Sequence, residues 1–370
     1  ASTPTSSSQQ ARRIHSLSIA ATPEALHVPP LPTDGPLQIP NQGKLISSLV
    51  LLLMLLPAVA FCGETLRIAI VSDLNGSYGS AHYGASIDHA VERLQALKPD
   101  LVLSTGDMVA GQRKPHLKRL EVEVMWRAFH EHLSDPLATA GIPLAVTPGN
   151  HDGSAYHGFE LERLIYAEQW LPRKPALQFV DEDHYPFYYA FIVKNVLFIS
   201  LDATTVGHLS PDQMDWLREI LDRYGPNHSQ RVIFSHLPLW PFAKGRETEY
   251  IGDPELERLL QHAGVRLYLS GHHHAFYPGH KGGIDYISQS CLGAGPRRLI
   301  GSGTKTPRSF TMIELTDDDT LITAFQEPAF DTPIDWSTLP PSIRSPVAEL
   351  IRVDLVGKAA NRLKTESPGR

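Results

Sequence analysis

The sequence predicts an α/β fold, and three observations carry that expectation. Short apolar runs read as strands, stretches of helical periodicity separate them, and the first three runs follow the order βαβαβ, which calls for parallel strands joined by crossovers. Five runs also end in the same way, on Asp, Asn or His. They are Ile68-Ala-Ile-Val-Ser-Asp73, Leu101-Val-Leu-Ser-Thr-Gly-Asp107, Ile142 to Val146 followed by Thr147-Pro-Gly-Asn-His-Asp152, Val232-Ile-Phe-Ser-His236, and Leu267-Tyr-Leu-Ser-Gly-His-His-His274. Loops leaving parallel strands converge at one sheet edge, where ligands bind in open α/β sheets. A single polar strand end is ordinary; five in register point to one site.

Taken in order, strand Leu66 to Val71 leads into Asp73-Leu74-Asn75-Gly76, and Ile87, Val91 and Leu94 then mark a helix by their spacing. Strand Leu101 to Ser104 ends at Gly106-Asp107. A helix over about Leu117 to Leu133 precedes the strand that delivers Asn150. From Gly153 to Tyr185 the pattern gives a helix (Leu161, Leu164, Ile165) and an aromatic, charged loop (Trp170, Asp181 to His184), long enough to suggest a lid or a substrate-facing insertion. Strands Tyr188 to Ile192 and Val196 to Leu201 join through Lys194-Asn195. A helix carrying Met214, Trp216, Leu217 and Leu221 follows, then strand Val232 to Ser235, a second variable loop from Leu237 to Tyr250, helix Pro254 to His262 and the strand before Gly271. Strands Ile284 to Ser288, Phe310 to Leu315 and Leu321 to Phe325 have no helices between them and suggest an antiparallel portion. Beyond Pro328 a tail is expected over residues 329–370, with a short helix near Ala348 to Val356.

The N-terminal part is read differently. Residues 1–42 are rich in proline and serine and lack apolar periodicity, so they are expected to be a disordered leader. Lys44, the apolar run Leu45 to Leu56 and Ala58-Val59-Ala60 then have the charged, apolar and A-x-A parts of a signal peptide over residues 43–60. The run from Leu45 to Phe61 falls short of the ~20 residues of a membrane span. Export, periplasmic or secreted, is therefore the expectation, with a membrane anchor through residues 45–61 as the alternative.

The chain carries 33 basic and 40 acidic residues, a net charge of −7, which argues against a nucleic-acid backbone as partner. Its two cysteines, Cys62 and Cys291, form no Cys-x-x-Cys, so neither a thiolate zinc site nor a dithiol redox centre is indicated. The 18 histidines are the anomaly, because His151, His236, His272 and His274 occupy strand ends. Asp, Asn and His ligands without sulfur suit Mn, Fe or Zn and disfavour Cu(I) or an iron–sulfur cluster. Seven candidates, Asp73, Asn75, Asp107, Asn150, His236, His272 and His274, exceed what one tetrahedral ion with an open position requires. Two divalent ions are implied, and a pair about 3.5–4 Å apart can activate water for in-line phosphoryl displacement.

Asp73-Leu-Asn75, Gly106-Asp107, Gly149-Asn-His-Asp152, Ser235-His236 and Gly271-His-His-His274 resemble, in order, the motifs D-x-H, G-D, G-N-H-[DE], H and G-H-x-H of the calcineurin-like metallophosphoesterases. The resemblance implies that family's fold, two mixed β-sheets packed face to face with helices outside (α/β/β/α), over about residues 64–328. It implies one metal held by Asp73, Asp107 and His274, with Asn75 where the family has His, and a second held by Asp107, Asn150, His236 and His272. His151 then takes the place of the catalytic histidine, contacting the phosphate and protonating the leaving oxygen, while His273 points away. A phosphate ester, monoester or diester, is the expected substrate. Tyr156, His157, Trp240 and Lys244 are candidates for specificity; Arg297 and Arg298 are in reach of a phosphate in principle but are expected on an ordinary solvated surface. The competing expectations are a non-catalytic binding protein on the same scaffold and a hydrolase of another ester such as a sulfate. The presence of His151 weighs against the first, because a binding module needs no leaving-group acid.

Overall fold

The computed structural model describes residues 64–317 and 319–356. The leader over 1–42, the apolar segment 43–60 and the end of the tail lie outside the described residues. The chain runs β1 (Leu66–Val71), α1 (Ala85–Leu97), β2 (Leu101–Ser104), α2 (Arg119–Phe129), α3 (Asp135–Thr139) and β3 (Leu144–Val146). It continues through α4 (Glu160–Trp170), β4 (Gln178–Asp181), β5 (Tyr189–Val193), β6 (Val196–Leu201), α5 (Pro211–Tyr224), β7 (Gln230–Ser235), α6 (Pro254–His262) and β8 (Leu267–Ser270). Seven strands complete it: β9 (Tyr277–Lys281), β10 (Ile284–Ser288), β11 (Ser309–Leu315), β12 (Thr320–Gln326), β13 (Thr332–Pro333), β14 (Ser342–Arg344) and β15 (Glu349–Arg352).

These strands make two mixed sheets, a six-stranded one in the order β13-β12-β11-β1-β2-β3 and a nine-stranded one in the order β14-β15-β9-β10-β8-β7-β6-β5-β4. The apolar runs fall in the parallel parts, β1-β2-β3 and β6-β7-β8-β10, where a strand covered on both faces has no polar side to show. Side chains tie one sheet to the other. The Tyr189 hydroxyl of β5 donates to Val146 O of β3 at 2.6 Å and accepts from Val146 N at 3.0 Å, and Thr147 Oγ1 donates to Leu201 O at 2.8 Å.

Helices dock by the faces their spacing predicts. On α1 the residues Ile87, Ala90, Val91 and Leu94 are buried, and each large aliphatic side chain so placed contributes ~1.5–3 kcal/mol. Leu94→Ala is the single change that would most loosen that face. The helix stops at Lys98, which adopts φ 50° and donates its N–H to Leu94 O. Helices α5 and α6 start where a cap and a proline coincide. Ser210 Oγ accepts from Gln213 N before Pro211, and Asp253 accepts from Glu255 N and Leu256 N before Pro254.

Register decides where the polar endings fall. Val71 pairs with Ser104 on the level of Val146 in one sheet, and Leu201, Ser235 and Ser270 are level in the other. Each apolar run therefore releases its Asp, Asn or His at the same edge. Four expectations are corrected away from that edge. The helix expected near Ala348 to Val356 is instead β15, hydrogen-bonded to β14 and β9, followed by a 3-10 turn at Val353–Leu355. The domain thus extends past Pro328 into the segment expected to be a tail. The charged loop before Tyr185 contains β4, an edge strand, and β9 was hidden by its own Pro278 and Gly279. The helix expected to Leu133 is helical through that residue but not uniform: α2 gives way at Phe129 to a π-helical turn over His130–Ser134, which leads directly into α3.

Candidate metal centre

Asp73 and Asp107 sit two and three residues beyond their strands, and both adopt left-handed backbone (φ 51° and 55°). His272 and His274 do the same at φ 62° and 50°. Among the described residues eight non-glycine positions have positive φ, and four of them are these candidate ligands. Such conformations cost ~1–3 kcal/mol each, so they persist only where surrounding contacts fix them. Here the fixing is visible: Asp73 N donates to Gly106 O, Leu74 N and Asn75 N donate to Asp107 O, and Gly293 N and Ala294 N donate to Asp73 O. Gly149 and Gly271 make the close approach possible. A Cβ on Gly149 would lie 2.2 Å from Asp107 N and Oδ1, and one on Gly271 would lie 2.0 Å from Ser72 Oγ.

The histidines are oriented by their second nitrogen. His236 Nδ1 lies 2.8 Å from Thr105 O, to which it donates, and Nε2 then faces Asn150 Oδ1 at 3.0 Å and Asp107 Oδ1 at 3.3 Å. His274 repeats the device, with Nδ1 on Gly295 O at 3.1 Å and Nε2 3.0 Å from Asp73 Oδ1. That last approach lacks hydrogen-bonding geometry and leaves Asp73 Oδ1 buried without a donor. A carbonyl on Nδ1 and a carboxylate before Nε2 is the arrangement that second-shell groups impose on metal-binding histidines. Asn150 is turned the right way by Gln112, whose Oε1 accepts from Asn150 Nδ2 at 2.8 Å. Asp107, His236 and His272 form a candidate metal site, all three buried, with ligand atoms within 4.8 Å of one another.

Electrostatics favour a cation here. Burial pushes the Asp107 carboxyl up, but His236 and His151 more than offset it and hold it well below the usual carboxylate range. Asp73 is treated likewise: burial raises it and His274 brings it down. Burial works against the His236 imidazolium too, yet Asp107 lifts its pKa to about 9. Two ionised, desolvated carboxylates therefore favour positive charge, which in the protein alone comes chiefly from histidine protons. With one undonated carboxylate oxygen and two imidazole Nε2 atoms aimed at carboxylates, the donor set fits divalent cations.

Asn75 is buried at the cavity wall beside Asp107, and His151 completes the set. The backbone N–H of His151 donates to Asp107 Oδ1 at 2.9 Å, its Nδ1 lies 3.1 Å from Gly111 O, and its Nε2 is 3.8 Å from Asp107 Oδ2. All eight residues singled out from the sequence thus meet around one cavity of ≈ 680 Å³ or directly behind it. His273 turns from it into the loop between Leu237 and Tyr250: its Nδ1 accepts from Phe242 N (3.0 Å) and Ala243 N (3.2 Å), and Nε2 donates to Glu249 O. Burial lowers its pKa to about 3.

Of the four specificity candidates only Tyr156 lines the cavity. His157 is fully exposed and pairs with Glu160; Trp240 is buried and donates to Glu257 Oε1 at 2.9 Å; Lys244 faces a neighbouring cleft with Arg298 and Lys305. Arg298 is at the surface as expected, whereas Arg297 is half-buried and lines the cavity. Three contributors, Gln112, Arg246 and Glu249, had no motif to announce them, and a fourth, Asp152, closes the third motif without having been given a role. Asp152 accepts from Gly149 N (2.6 Å) and Met108 N (2.7 Å), clamping two ligand loops together, and burial next to Asp107 raises its pKa to about 7. Gln112 orients Asn150. Glu249 accepts from His272 Nε2 at 2.8 Å, an interaction that lowers its pKa to about 2, and it also pairs with Arg246.

The model of the calcineurin-like phosphoesterase family matches residues 66–276, more than half of the chain. The chain is 25% identical over 234 residues to the mouse serine/threonine-protein phosphatase CPPED1, covering 59% of this chain and 69% of that one. It is 31% identical over 196 residues to a probable cyclic nucleotide phosphodiesterase of Synechococcus, covering 50% of this chain and 62% of the relative. In fold it is similar to the purple acid phosphatase PPD1 of yellow lupin seeds, with a TM-score of 0.53 at 16% identity over 71% of this chain; it spans about half (52%) of that longer protein. Matching model, matching fold and converging motifs agree: the chain belongs to the calcineurin-like phosphoesterase family, a family of phosphoric ester hydrolases that normally hold a dinuclear metal centre.

Proposed function

We propose that this cavity hydrolyses phosphate esters with two divalent cations, one held by Asp73, Asn75, Asp107 and His274 and the other by Asp107, Asn150, His236 and His272. The observation that carries the reading is the position of Asp107, with His236 Nε2 at one carboxylate oxygen and His151 Nε2 within 3.8 Å of the other. That residue links the two ligand groups to the candidate acid. Bound cations supply Lewis acidity and an activated water for in-line displacement at phosphorus. The protein's own part is positional. Thr105 O and Gly295 O hold the Nδ1 protons of His236 and His274, so both rings keep Nε2 for the centre. Gly111 O holds His151 Nδ1 in the same way and leaves Nε2 as the atom able to deliver a proton to the leaving oxygen as the ester P–O bond breaks.

The test is to strip the protein with chelator and assay aryl phosphate, bis-aryl phosphate and aryl sulfate with and without added Mn. Activity on a phosphate ester that vanishes on stripping and returns with metal supports the reading; undiminished turnover after stripping, or turnover of the sulfate alone, overturns it. The run from Leu45 to Phe61, outside the described residues, supports an exported destination in the same proposal. An N-terminus beginning after Ala60 in protein recovered outside the cytoplasm is the corresponding result.

A further inference from the structure

The walls of the cavity differ in chemistry. Charged groups accompany the histidines of the last motif: Arg297 N donates to His274 O at 3.0 Å, and Arg246 pairs with the Glu249 that holds His272. Aromatic and apolar groups accompany His151. The Tyr78 ring lies 5.1 Å from the His151 ring, tilted by 53°. Tyr156 and Val206 are joined by a hydrogen bond from Val206 N to the Tyr156 hydroxyl at 3.0 Å. Tyr156 is further tied to the centre, since Ser154 Oγ accepts from Tyr156 N and from Gln112 Nε2, and Gln112 holds Asn150.

Exposure makes this arrangement informative. Tyr78 is 57% exposed, Val206 47% and Tyr156 41%, and they are three of only ten large apolar or aromatic side chains so exposed among the described residues. All three line this one cavity. Apolar area left in water at the mouth of a polar site marks a place where a ligand's apolar part is received. Its position identifies which part. Under the function proposed above, on which this inference rests, His151 Nε2 protonates the leaving oxygen, so whatever is attached to that oxygen extends past His151 towards Tyr78.

We infer that the site selects phosphate esters whose leaving alcohol is aromatic, the ring seated against Tyr78 and Tyr156. In the step, the bond from phosphorus to the aryl oxygen breaks, a bond from phosphorus to water oxygen forms, and His151 gives its Nε2 proton to the departing phenolate. Tyr78 and Tyr156 touch the leaving group without taking part in the transfer. Aromatic faces prefer another ring in offset or edge contact over an aliphatic group of equal area, by about 3- to 10-fold in affinity for a well-placed pair.

Phenylphosphonate and cyclohexylphosphonate separate that preference from leaving-group acidity, because their carbon–phosphorus bonds are not cleaved and their sizes match. Calorimetry on the full, Mn-loaded protein is expected to show the phenyl compound binding about 3- to 10-fold tighter. Tyr78→Leu and Tyr156→Leu, both at exposed positions, should shrink the ratio towards one, while Tyr78→Phe keeps it. Equal affinities in the unaltered protein, or a phenyl preference that survives both leucine substitutions together, overturns the inference. If both phosphonates and inorganic phosphate fail to bind, and no phosphate ester is turned over, the underlying hydrolase reading has failed as well. If phosphate binds and esters are hydrolysed without a ring preference, only the aromatic selection has failed.

Discussion

The two halves of the candidate centre are built unequally. Around His236 and His272 every group is buried: His236 is fully enclosed, His272 is 7% exposed, and Asn150 is fixed by Gln112. Around His274 the ligands are just as enclosed, Asp73 being fully buried and Asn75 5% exposed, but a neutral amide stands where the family's motif has an imidazole, and among the described residues no side chain holds that amide as Gln112 holds Asn150. Burial removes the competition of water for a cation, and pre-oriented donors remove the entropy cost of gathering them. The difference teaches that the second half is organised before any ion arrives, whereas the first depends more on the ion to complete it.

The largest effect should come from the residue the halves share. Asp107→Asn takes one negative charge from both, and metal content at both sites should fall together, with kcat/KM on an aryl phosphate reduced by more than the ~10²–10⁴ that a positioned acid contributes. Loss of only one equivalent, measured by atomic emission on the purified protein, would show that the halves are held independently.

Next in size is a change that should leave the halves alone. His151→Asn keeps both metals and lowers kcat by ~10²–10⁴, the usual contribution of a positioned proton donor. The deficit should shrink as the leaving group becomes more acidic. A variant that loses metal, or whose deficit is the same for all leaving groups, places His151 among the holding residues instead.

How much of this was readable in advance differs by the same division between fixed and variable parts. The strands of the parallel regions were plain because a doubly covered strand is a continuous apolar run, and their endings were plain because a tight loop leaves few positions for a ligand. Glu349-Leu-Ile-Arg352 misled because two apolar residues between charges fit either periodicity over so short a span; only pairing with β14 and β9 makes it a strand. Trp240 misled for another reason. An aromatic residue in a loop suggested substrate contact, yet its loop folds inward and buries the ring against Lys281, with Nε1 on Glu257. Tyr78, Gln112, Arg246 and Glu249 had no signal of spacing at all, since their roles depend on how loops return to the cavity. Arg297 reads as a surface residue in the sequence, because the turn that draws it beside His274 is set by a backbone hydrogen bond, not by composition.

A third prediction sharpens the claim that the second half is pre-organised. Gln112 is not among the candidate ligands, but it decides which face Asn150 presents to His236. Gln112→Ala frees that amide to rotate, and affinity at the second site should weaken by ~10–100-fold, the range for removing a group that orients a ligand. The first site should be unchanged in a competitive chelator titration. Equal weakening at both would mean that Gln112 supports the whole loop, and the contrast between the halves would lose one of its causes.

The smallest expected effect tests the other half. Asn75 offers an amide oxygen, harder and weaker than imidazole towards zinc and the later transition metals, so the first site should release its ion more readily and lean towards Mn. Asn75 also precedes Gly76 in a turn, and its N–H already donates to Asp107 O, so a purely backbone role is the competing account. Substitution separates the two, because a turn residue and a ligand respond differently to gaining a ring nitrogen. Asn75→His should tighten the first site by ~10-fold and shift its preference towards Zn, leaving the second site as it was. Both are read from stepwise metal titrations of stripped protein, in which the weaker of two transitions should move towards the stronger. If neither transition moves and the metal preference stays the same, Asn75 serves the turn alone, and the first half then differs from the second by having one ligand fewer.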